Sequence, residues 1–256
     1  MKITLKVAGW LSNHLYILYK PAYFLYKRLR DRDEARIMRA CIRRGDHVLD
    51  IGANIGFHSR LMASLVGEGG RVSSYEPSAI SHRRLLDNTR QMPQVIVQQA
   101  AVASHNGTVR VFVSKELSVD DRVYKTHTHN PSIEVRACRL DDHIPTDRPV
   151  SFVKIDIQGS EVDALQGMRR ILTGSNRMMV LCECSPYALE EAGSSVASLL
   201  DSLESAGLVV KLLQPRRLVE ISWLMADKHQ WGDPYYYQNL LAYHPSQEQL
   251  LKRLFP

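Results

Sequence analysis

The sequence predicts an α/β protein in which a mostly parallel sheet carries helices on both faces. Two features of the chain support this prediction. Residues 47–56 (HVLDIGANIG) place a short apolar run and an acid before a glycine turn, and residues 57–66 then form an amphipathic segment. Short apolar runs and amphipathic segments continue to alternate as far as residue 99. Because a strand-helix-strand-helix-strand order is typical of parallel sheets covered by helices, both features indicate the same fold class.

The first half of the sheet is predicted from this alternation and from its end signals. Gly45 ends the first helix and Pro93 marks the end of the third. The predicted elements are a helix over residues 33–44, the first strand, a helix over 57–66, a strand over 71–75, a helix over 79–92 and a strand over 95–99.

In the second half, the regular alternation of predicted strands and helices is interrupted. Asn106-Gly107, between residues 101–103 and 108–113, predicts a hairpin turn. Residues 115–131 are polar and are expected to form a loop over the pocket. The remaining predicted elements are strands over residues 135–140, 151–156, 178–184, 208–213 and 238–243, and helices over 160–172, 196–206 and 247–254.

The bulk composition predicts one globular domain with a small appendage. The chain has 256 residues, of which 45% are hydrophobic and 23% charged, so a packed core is expected. We assign residues 1–32 to an N-terminal helical extension and residues 33–256 to the main domain. The net charge of +6 favours an anionic partner or a membrane surface only weakly.

The cysteines indicate a reducing compartment. None of the four has the CxxC spacing of a metal or redox site, and the composition signals no disulfide framework. No signal peptide is evident, and the uncharged run over residues 7–19 is too short to span a bilayer. We therefore expect a cytoplasmic protein, with membrane association left open.

The N-terminal extension is rich in aromatic and basic residues, which leaves two interpretations open. Lysine and arginine interleaved with aromatic residues are typical of a helix at a membrane surface, so peripheral membrane contact is one interpretation. The other, which the sequence favours, is a helix that packs on the domain or on the second subunit of a homodimer.

The glycine turn differs from a dinucleotide-binding fingerprint. Asp50 stands before the glycines, where it would repel a pyrophosphate, and Asn54 stands at the position of the second glycine. An acid there suits a ligand with an amino group and sugar hydroxyls. Glu76, about 20 residues further on, is placed to bind a ribose diol. Two acids around one glycine turn fit S-adenosylmethionine better than NAD or ATP.

Four segments of the chain form a specific combination of motifs: DIGANIG at Asp50, YEP at Tyr75, RLDD at Arg139 and KIDIQGSE at Lys154. In order and spacing, over residues 46–185, they resemble the FkbM family of methyltransferases. One position departs from the pattern, because the family usually has an acid where this chain has Gln158. The segments outside this range are expected to set the acceptor.

The resemblance implies a class I methyltransferase fold, Rossmann-like, with a seven-stranded sheet. It also implies S-adenosylmethionine as methyl donor and an oxygen acceptor on a sugar, glycolipid or natural product. By position, the methionine half of the donor is assigned to the glycine turn, the ribose to Glu76, and the adenine to the end of the third strand. The implied cofactor-binding residues are Asp50, Gly52, Ala53, Asn54, Gly56, Phe57, Glu76, Pro77, Gln99, Ala100 and Asp156.

Three residues are candidates for the chemistry of a hydroxyl acceptor, which must lose a proton. Asp156 ends the fourth strand beside the expected methyl position and is the first candidate for the base; it could instead hold the donor's amino group. Glu183 is a strand-end acid and the second candidate. His127 is the third, although a loop histidine is more often merely solvated. Lys154 is expected to form a structural pair with Glu161 or Glu183.

Other features bear on the acceptor and on metal binding. The aromatic residues Trp223, Trp231 and Tyr235 to Tyr237 could stack on a sugar ring or form an edge of the core. No metal site is predicted, because neither an HxxxH pattern nor an aspartate cluster is present.

We therefore predict an O-methyltransferase acting on a hydroxyl of a glycan, glycolipid or secondary metabolite. A non-catalytic binding protein on the same fold is a rival that Gln158 keeps open. A dinucleotide-dependent oxidoreductase is a weaker rival because of Asn54. A nucleic-acid acceptor is not expected, since no (D/N)PP(Y/F) tetrad follows the fourth strand.

Overall fold

The computed structural model describes residues 15–112 and 132–255, and the strands within these ranges form two sheets. The strands are β1 (His47–Ile51), β2 (Arg71–Tyr75), β3 (Val95–Gln98), β4 (Ala101–Val102), β5 (Gly107–Phe112), β6 (Ser132–Cys138), β7 (Val150–Ile155), β8 (Met179–Cys184), β9 (Val209–Gln214), β10 (Arg217–Val219) and β11 (Gln238–Tyr243).

The α-helices of the described residues connect and cover these strands. They are α1 (Tyr16–Arg30), α2 (Arg32–Cys41), α3 (Phe57–Val66), α4 (Ala79–Thr89), α5 (Leu140–His143), α6 (Glu161–Gln166), α7 (Arg169–Thr173), α8 (Pro186–Glu191), α9 (Val196–Glu204), α10 (Ser222–Ala226) and α11 (Glu248–Leu254). None of them combines the length and the hydropathy that crossing a bilayer requires.

The main sheet has the strand order β10-β9-β11-β8-β7-β1-β2-β3. Strands β3, β2, β1, β7 and β8 are parallel, whereas β11 runs antiparallel to both β8 and β9. The predicted fold class is confirmed: seven strands form the expected doubly covered sheet, and the short β10 adds an eighth at one edge.

The sheet is apolar on both faces, which is why helices cover both. Every residue of β1 is buried, and its side chains alternate between two hydrophobic clusters. Leu49 and Ile51 belong to the cluster with α6 and α9, and Val48 belongs to the one with α2 and α3. Each large apolar side chain that is fully buried contributes about 1.5–3 kcal/mol to folding.

The predicted hairpin around Asn106-Gly107 is wrong. Strand β4 and strand β5 do not pair with each other; both pair with β6, β4 in parallel and β5 antiparallel. The Asn106 side chain donates to Asp142 at 2.7 Å and accepts from the Arg139 backbone N–H at 2.9 Å. These distant contacts hold the asparagine in a loop that joins the small sheet to α5.

The single helix predicted over residues 160–172 is two helices, α6 and α7. The break lies at Gly167, where an added Cβ would lie 2.0 Å from the carbonyl oxygen of Ala103. The backbone therefore passes too close to its neighbour for any side chain. The loop predicted over residues 115–131, which includes His127, lies outside the described residues.

Helix α1 lies within the predicted N-terminal extension and packs on the main domain. Asn88 donates a hydrogen bond to the Tyr16 hydroxyl at 2.9 Å. The rings of Phe24 and Phe57 meet edge to face at 5.5 Å. The helix is thus fixed to α3 and α4, and the domain boundary at residue 32 stays a prediction.

Candidate active site

The glycine turn after β1 is held between the ends of two neighbouring strands. Gly52, Asn54 and Gly56 all have positive φ, a conformation that glycine and asparagine tolerate best. The backbone N–H groups of Gly52 and Ala53 both donate to the carbonyl of Tyr75 at 3.0 Å. An added Cβ on Gly52 would lie 1.9 Å from the carbonyl oxygen of Asp156. Only glycine allows this approach, which brings the turn against the end of β7.

Asp50 is fully buried beneath this turn, and only one of its two carboxylate oxygens accepts a hydrogen bond from the part of the chain that the structure describes. Its Oδ2 accepts from the Ser59 hydroxyl at 2.6 Å, and Ser74 donates to Ser59 at 3.0 Å. Its Oδ1 has no hydrogen-bond partner among the described residues. A buried acceptor left without a donor costs about 1–3 kcal/mol or more for a charged group. The free oxygen therefore suits a ligand that brings a donor, such as an ammonium group.

Glu76 follows β2 and is held in one orientation by the backbone. Its Oε2 accepts from the Asn54 N–H at 2.8 Å, and its Oε1 accepts from the Ser78 N–H at 2.9 Å. Pro77 lies between Glu76 and Ser78, in the short connection before α4. The buried carboxylate thus stands at the glycine turn, where the sequence predicted it.

The residues predicted to contact adenine and the start of α3 lie at the same edge of the sheet. Gln99 and Ala100 directly follow β3, Gln99 exposed and Ala100 buried. The Glu76 N–H donates to the carbonyl of Gln98 at 3.1 Å, which ties this strand end to β2. Phe57 begins α3, and its ring packs against His58 at 5.0 Å.

A small cleft opens beside this turn, at the ends of β7 and β8 and the start of β11. Asp156 and Glu183, both predicted catalytic residues, line it together, while Asp50 and Glu76 do not. The predicted site is therefore brought together in two halves that meet where Gly52 contacts Asp156. The polar residues lining the cleft are Lys27, Arg30, Asp31, Glu34, Lys154, Asp156, Glu183, Tyr237 and Asn239.

Gln158 joins the two predicted catalytic acids. Its amide donates to Asp156 Oδ1 at 3.2 Å and to Glu183 Oε1 at 2.8 Å, from a backbone with φ of 54°. Lys154 lies 3.2 Å from Asp156 Oδ2. The predicted pairing of Lys154 with Glu161 or Glu183 is wrong, because Lys154 and Asp156 are two residues apart and project on the same side of the chain.

The two acids have pKa values displaced in opposite directions. Burial, followed by the neighbouring charge of Asp156, raises the pKa of Glu183 well above its usual range. Burial also acts to raise the pKa of Asp156, but the ammonium groups of Lys154 and Lys27 outweigh it and hold that pKa below its usual range. Two carboxyls whose environments push their pKa values apart can divide acid and base roles between them.

Glu161 begins α6 on the buried side of this network. Its carboxylate accepts from the backbone N–H groups of Ile157, at 3.3 Å, and Gly159, at 2.9 Å. Burial nevertheless raises its pKa to about 7. Glu161 thus organises the loop that carries Gln158.

Helix α1 supplies part of the cleft, which sequence reasoning missed. Lys27 lines the cleft and pairs with the buried Asp31, and the guanidinium of Arg30 lies 4.9 Å from the ring centre of Tyr237. Burial and the charge of Asp156 also raise the pKa of Tyr23, on the same helix. The basic and aromatic composition was the available signal, but it indicated only a membrane or packing helix.

The aromatic residues before β11 were predicted either to stack on a sugar ring or to form an edge of the core, and their positions differ. Tyr237 lines the cleft, Tyr236 and Trp231 pack against the core, and Trp223 is exposed. Only the first of these is placed to contact an acceptor.

His58 fixes the junction of α1 and α2 beside the cleft. Its Nε2 lies 3.3 Å from Asp31 and 3.3 Å from Glu34, both of which line the cleft. The three ligating atoms are close enough to hold a metal ion. However, the same Asp31 oxygen already forms an ion pair with the Lys27 ammonium group. The charge of this carboxylate is therefore balanced without a metal ion.

The Rossmann-like fold and the acids at its strand ends define a methyltransferase. The description of the family model that matches residues 50–210 is "Methyltransferase FkbM domain", and the chain belongs to this family. The resemblance found in the sequence is thereby confirmed. So is the cofactor class, since S-adenosylmethionine is the methyl donor that this family membership implies.

The chain is similar to a curated relative and, in fold, to solved structures. Hexuronic acid methyltransferase AglP of Haloferax volcanii is 26% identical over 160 residues, which cover 60% of this chain and 64% of that protein. A putative rRNA methylase from Clostridium thermocellum has a similar fold, with a TM-score of 0.50 at 14% identity over 82% of this chain and 92% of that one. Aeropyrum pernix fibrillarin, solved with bound S-adenosyl-L-methionine, has a TM-score of 0.47 at 12% identity, covering 82% and 72%.

Proposed function

We propose that this protein is an O-methyltransferase that transfers the methyl group of S-adenosylmethionine to a hydroxyl of a sugar, on a glycan, a glycolipid or a secondary metabolite. The observation that carries this proposal is the pairing of Asp156 and Glu183 in one cleft, with displaced pKa values, against the glycine turn.

The residues at the glycine turn fit the cofactor. The unpartnered Oδ1 of Asp50 accepts a hydrogen bond from the amino group of the donor. The side-chain-free Gly52 lets the ligand approach the backbone closely, and the fixed carboxylate of Glu76 binds the ribose hydroxyls. When bound, the donor supplies a methyl group on a positively charged sulfur, which is already activated for displacement.

Glu183 is the base in this proposal, and Asp156 is the carboxylate that orients the acceptor. As the acceptor oxygen forms its bond to the methyl carbon and the carbon–sulfur bond breaks, the hydroxyl proton passes to Glu183. A base of raised pKa holds that proton well, and a placed base contributes about 10²–10⁴ in rate. Asp156 stays ionised beside Lys154 and accepts a hydrogen bond that aligns the acceptor. Alignment alone contributes up to roughly 7–11 kcal/mol.

The remaining residues around the cleft suit a sugar bound at its mouth, since the cleft itself encloses only about 10 Å³. The Tyr237 ring offers an apolar face to the ring carbons, and the Asn239 amide can donate to and accept from hydroxyls. The charge of the cleft does not itself select an acidic acceptor, because three cations and four carboxyl groups line it. The name of the Haloferax volcanii relative, a hexuronic acid methyltransferase, supports an acidic sugar.

Transfer of labelled methyl from S-adenosylmethionine tests the proposal. The purified chain is incubated with glycan, glycolipid and small-molecule fractions of a cell extract, in parallel with Glu183→Gln and Asp156→Asn variants. Label in an alkali-stable methyl ether of a sugar, lost in the Glu183 variant, is the expected result. Label in an alkali-labile ester would instead show a carboxylate acceptor, and would overturn the assignment of a hydroxyl.

The rival of a non-catalytic binding protein has its own outcome in this experiment. It predicts that the chain binds the cofactor product but labels no fraction. Gln158 does not favour this rival, because its amide links the two acids instead of leaving a gap at the position of the family's usual acid.

A further inference from the structure

One side of α1 exposes apolar side chains to solvent. We define the outer face of α1 by its exposed large apolar residues, which are Leu15 at its N-cap, Ile17, Leu18, Leu25, Tyr26 and Leu29. Ile17 is 87% exposed, Leu18 63% and Leu25 59%. Six of the twelve exposed large apolar residues of the described chain lie in this short segment, and a concentration of that kind marks an interaction surface.

The spacing of the leucines makes this a continuous face. Leu15, Leu18, Leu25 and Leu29 are separated by three, seven and four residues, so they line one side of a helix with 3.6 residues per turn. The opposite side carries the aromatic residues Tyr16, Tyr23 and Phe24, which are partly buried toward the domain. The outer face is therefore not the side that packs on the fold.

The charge of α1 identifies the partner of this face. The helix contains Lys20, Lys27, Arg28 and Arg30 and no acidic residue, and Asp31 and then Arg32 follow it. A second copy of the chain would bring two such basic helices together, at a cost in repulsion. An anionic lipid surface can bind both kinds of side chain: its acyl chains bury the apolar residues, and its negatively charged headgroups attract the basic ones.

We propose that the outer face of α1 seats this protein on the surface of a membrane that contains anionic lipids. The helix lies in the plane of the interface, with its leucines between the headgroups and the start of the acyl chains. The exposed side chains of Arg28 and of Arg32, just beyond the helix, lie among the phosphates. The other side of the same helix lines the cleft through Lys27 and Arg30. Binding therefore holds the mouth of the cleft close to the lipid surface.

Vesicle co-sedimentation of the full chain tests this proposal. The probes are vesicles of phosphatidylcholine alone and vesicles of phosphatidylcholine with phosphatidylglycerol in a ratio of roughly two to one. On the anionic vesicles, each basic side chain near the surface is expected to increase the binding affinity about fivefold. The chain is expected to bind the mixed vesicles and to leave them at high salt. The Leu18→Gln, Leu25→Gln double variant is expected to bind at least about tenfold more weakly, and Arg28→Gln about fivefold more weakly.

A matched variant separates this effect from general loss of apolar surface. Leu86→Gln with Ile133→Gln changes two exposed apolar residues on α4 and β6 and is expected to bind as the wild type does. Unchanged cofactor-product affinity in all variants shows that the fold is intact. Equal vesicle binding by the Leu18, Leu25 variant and the wild type would overturn the proposal. So would absence of vesicle binding together with a dimer that the double variant dissociates, since the face would then join two copies.

Discussion

The two halves of the proposed active site are built in different ways. The cofactor half, at the ends of β1 and β2, is made mainly of backbone: a glycine turn, its N–H groups and a carboxylate that they hold. The acceptor half, at the ends of β7 and β8, is made of charged side chains that include Lys27 from α1. A backbone site suits a ligand common to a whole family, whereas a side-chain site can change with the acceptor. The predictions below separate the two halves.

Gly52→Ala is expected to have the largest effect on cofactor affinity, because it acts on the cofactor half. The new Cβ would overlap the carbonyl oxygen of Asp156, at a residue with φ of 78°. Moving the turn costs about 3 kcal/mol of binding, so affinity for S-adenosylhomocysteine falls at least about a hundredfold by calorimetry. Gly69→Ala is the control, because nothing lies within 4 Å of its Cβ. Equal affinities of both variants would contradict the role given to the turn.

Glu183→Gln is expected to act on the acceptor half alone. Loss of the base lowers kcat by about 10²–10⁴, and cofactor affinity stays unchanged. In the wild type the rate should rise with pH, because Glu183 accepts a proton only when ionised and its pKa is raised. A variant that keeps the rising limb of the pH profile would show that another group is the base.

Gln158→Glu restores the acid that the family usually carries and tests the bridge between the two carboxyls. A third negative charge beside Asp156 and Glu183 raises the pKa of Glu183 further, so the rising limb moves to higher pH. At neutral pH the rate is expected to fall about tenfold. Gln158→Met removes both hydrogen bonds without adding charge. If it moves the pH profile as far as the glutamate does, the charge is not the cause.

At Glu161 the expected effect is on stability instead of activity. The pKa of its carboxyl is about 7 in the folded chain and 4.5 in the unfolded reference. Between these values the folded state holds a proton that the unfolded state has lost, so stability falls as pH rises, by up to about 3 kcal/mol. Urea unfolding at several pH values should show this slope in the wild type and a weaker one in Glu161→Gln. Equal slopes would assign the pH dependence to other groups.

The same contrast explains what the sequence could predict. The glycine turn and the acids at the ends of β1 and β2 are local patterns, so Asp50, Gly52 and Glu76 could be placed by reading the chain. Contacts between distant segments carry no such signal. Nothing near Lys27 in the sequence indicates that it lines a cleft with Glu183.

The two errors in the predicted fold have the same origin. The Asn106-Gly107 pair is a local hairpin signal, and it was overridden when the Asn106 side chain bonded with Asp142 and Arg139, more than thirty residues away. The break before α7 depends on the approach of Gly167 to Ala103. In both places tertiary contacts decide against the local propensity.

The most direct test titrates S-adenosylhomocysteine into the wild type, Asp50→Asn and Glu183→Gln in parallel. If Asp50 Oδ1 accepts the amino group of the ligand and Glu183 serves only the acceptor, the first variant loses at least about tenfold in affinity while the second binds as the wild type does. Wild-type affinity in Asp50→Asn, or equal losses in both variants, would contradict the division of the site into a cofactor half and an acceptor half.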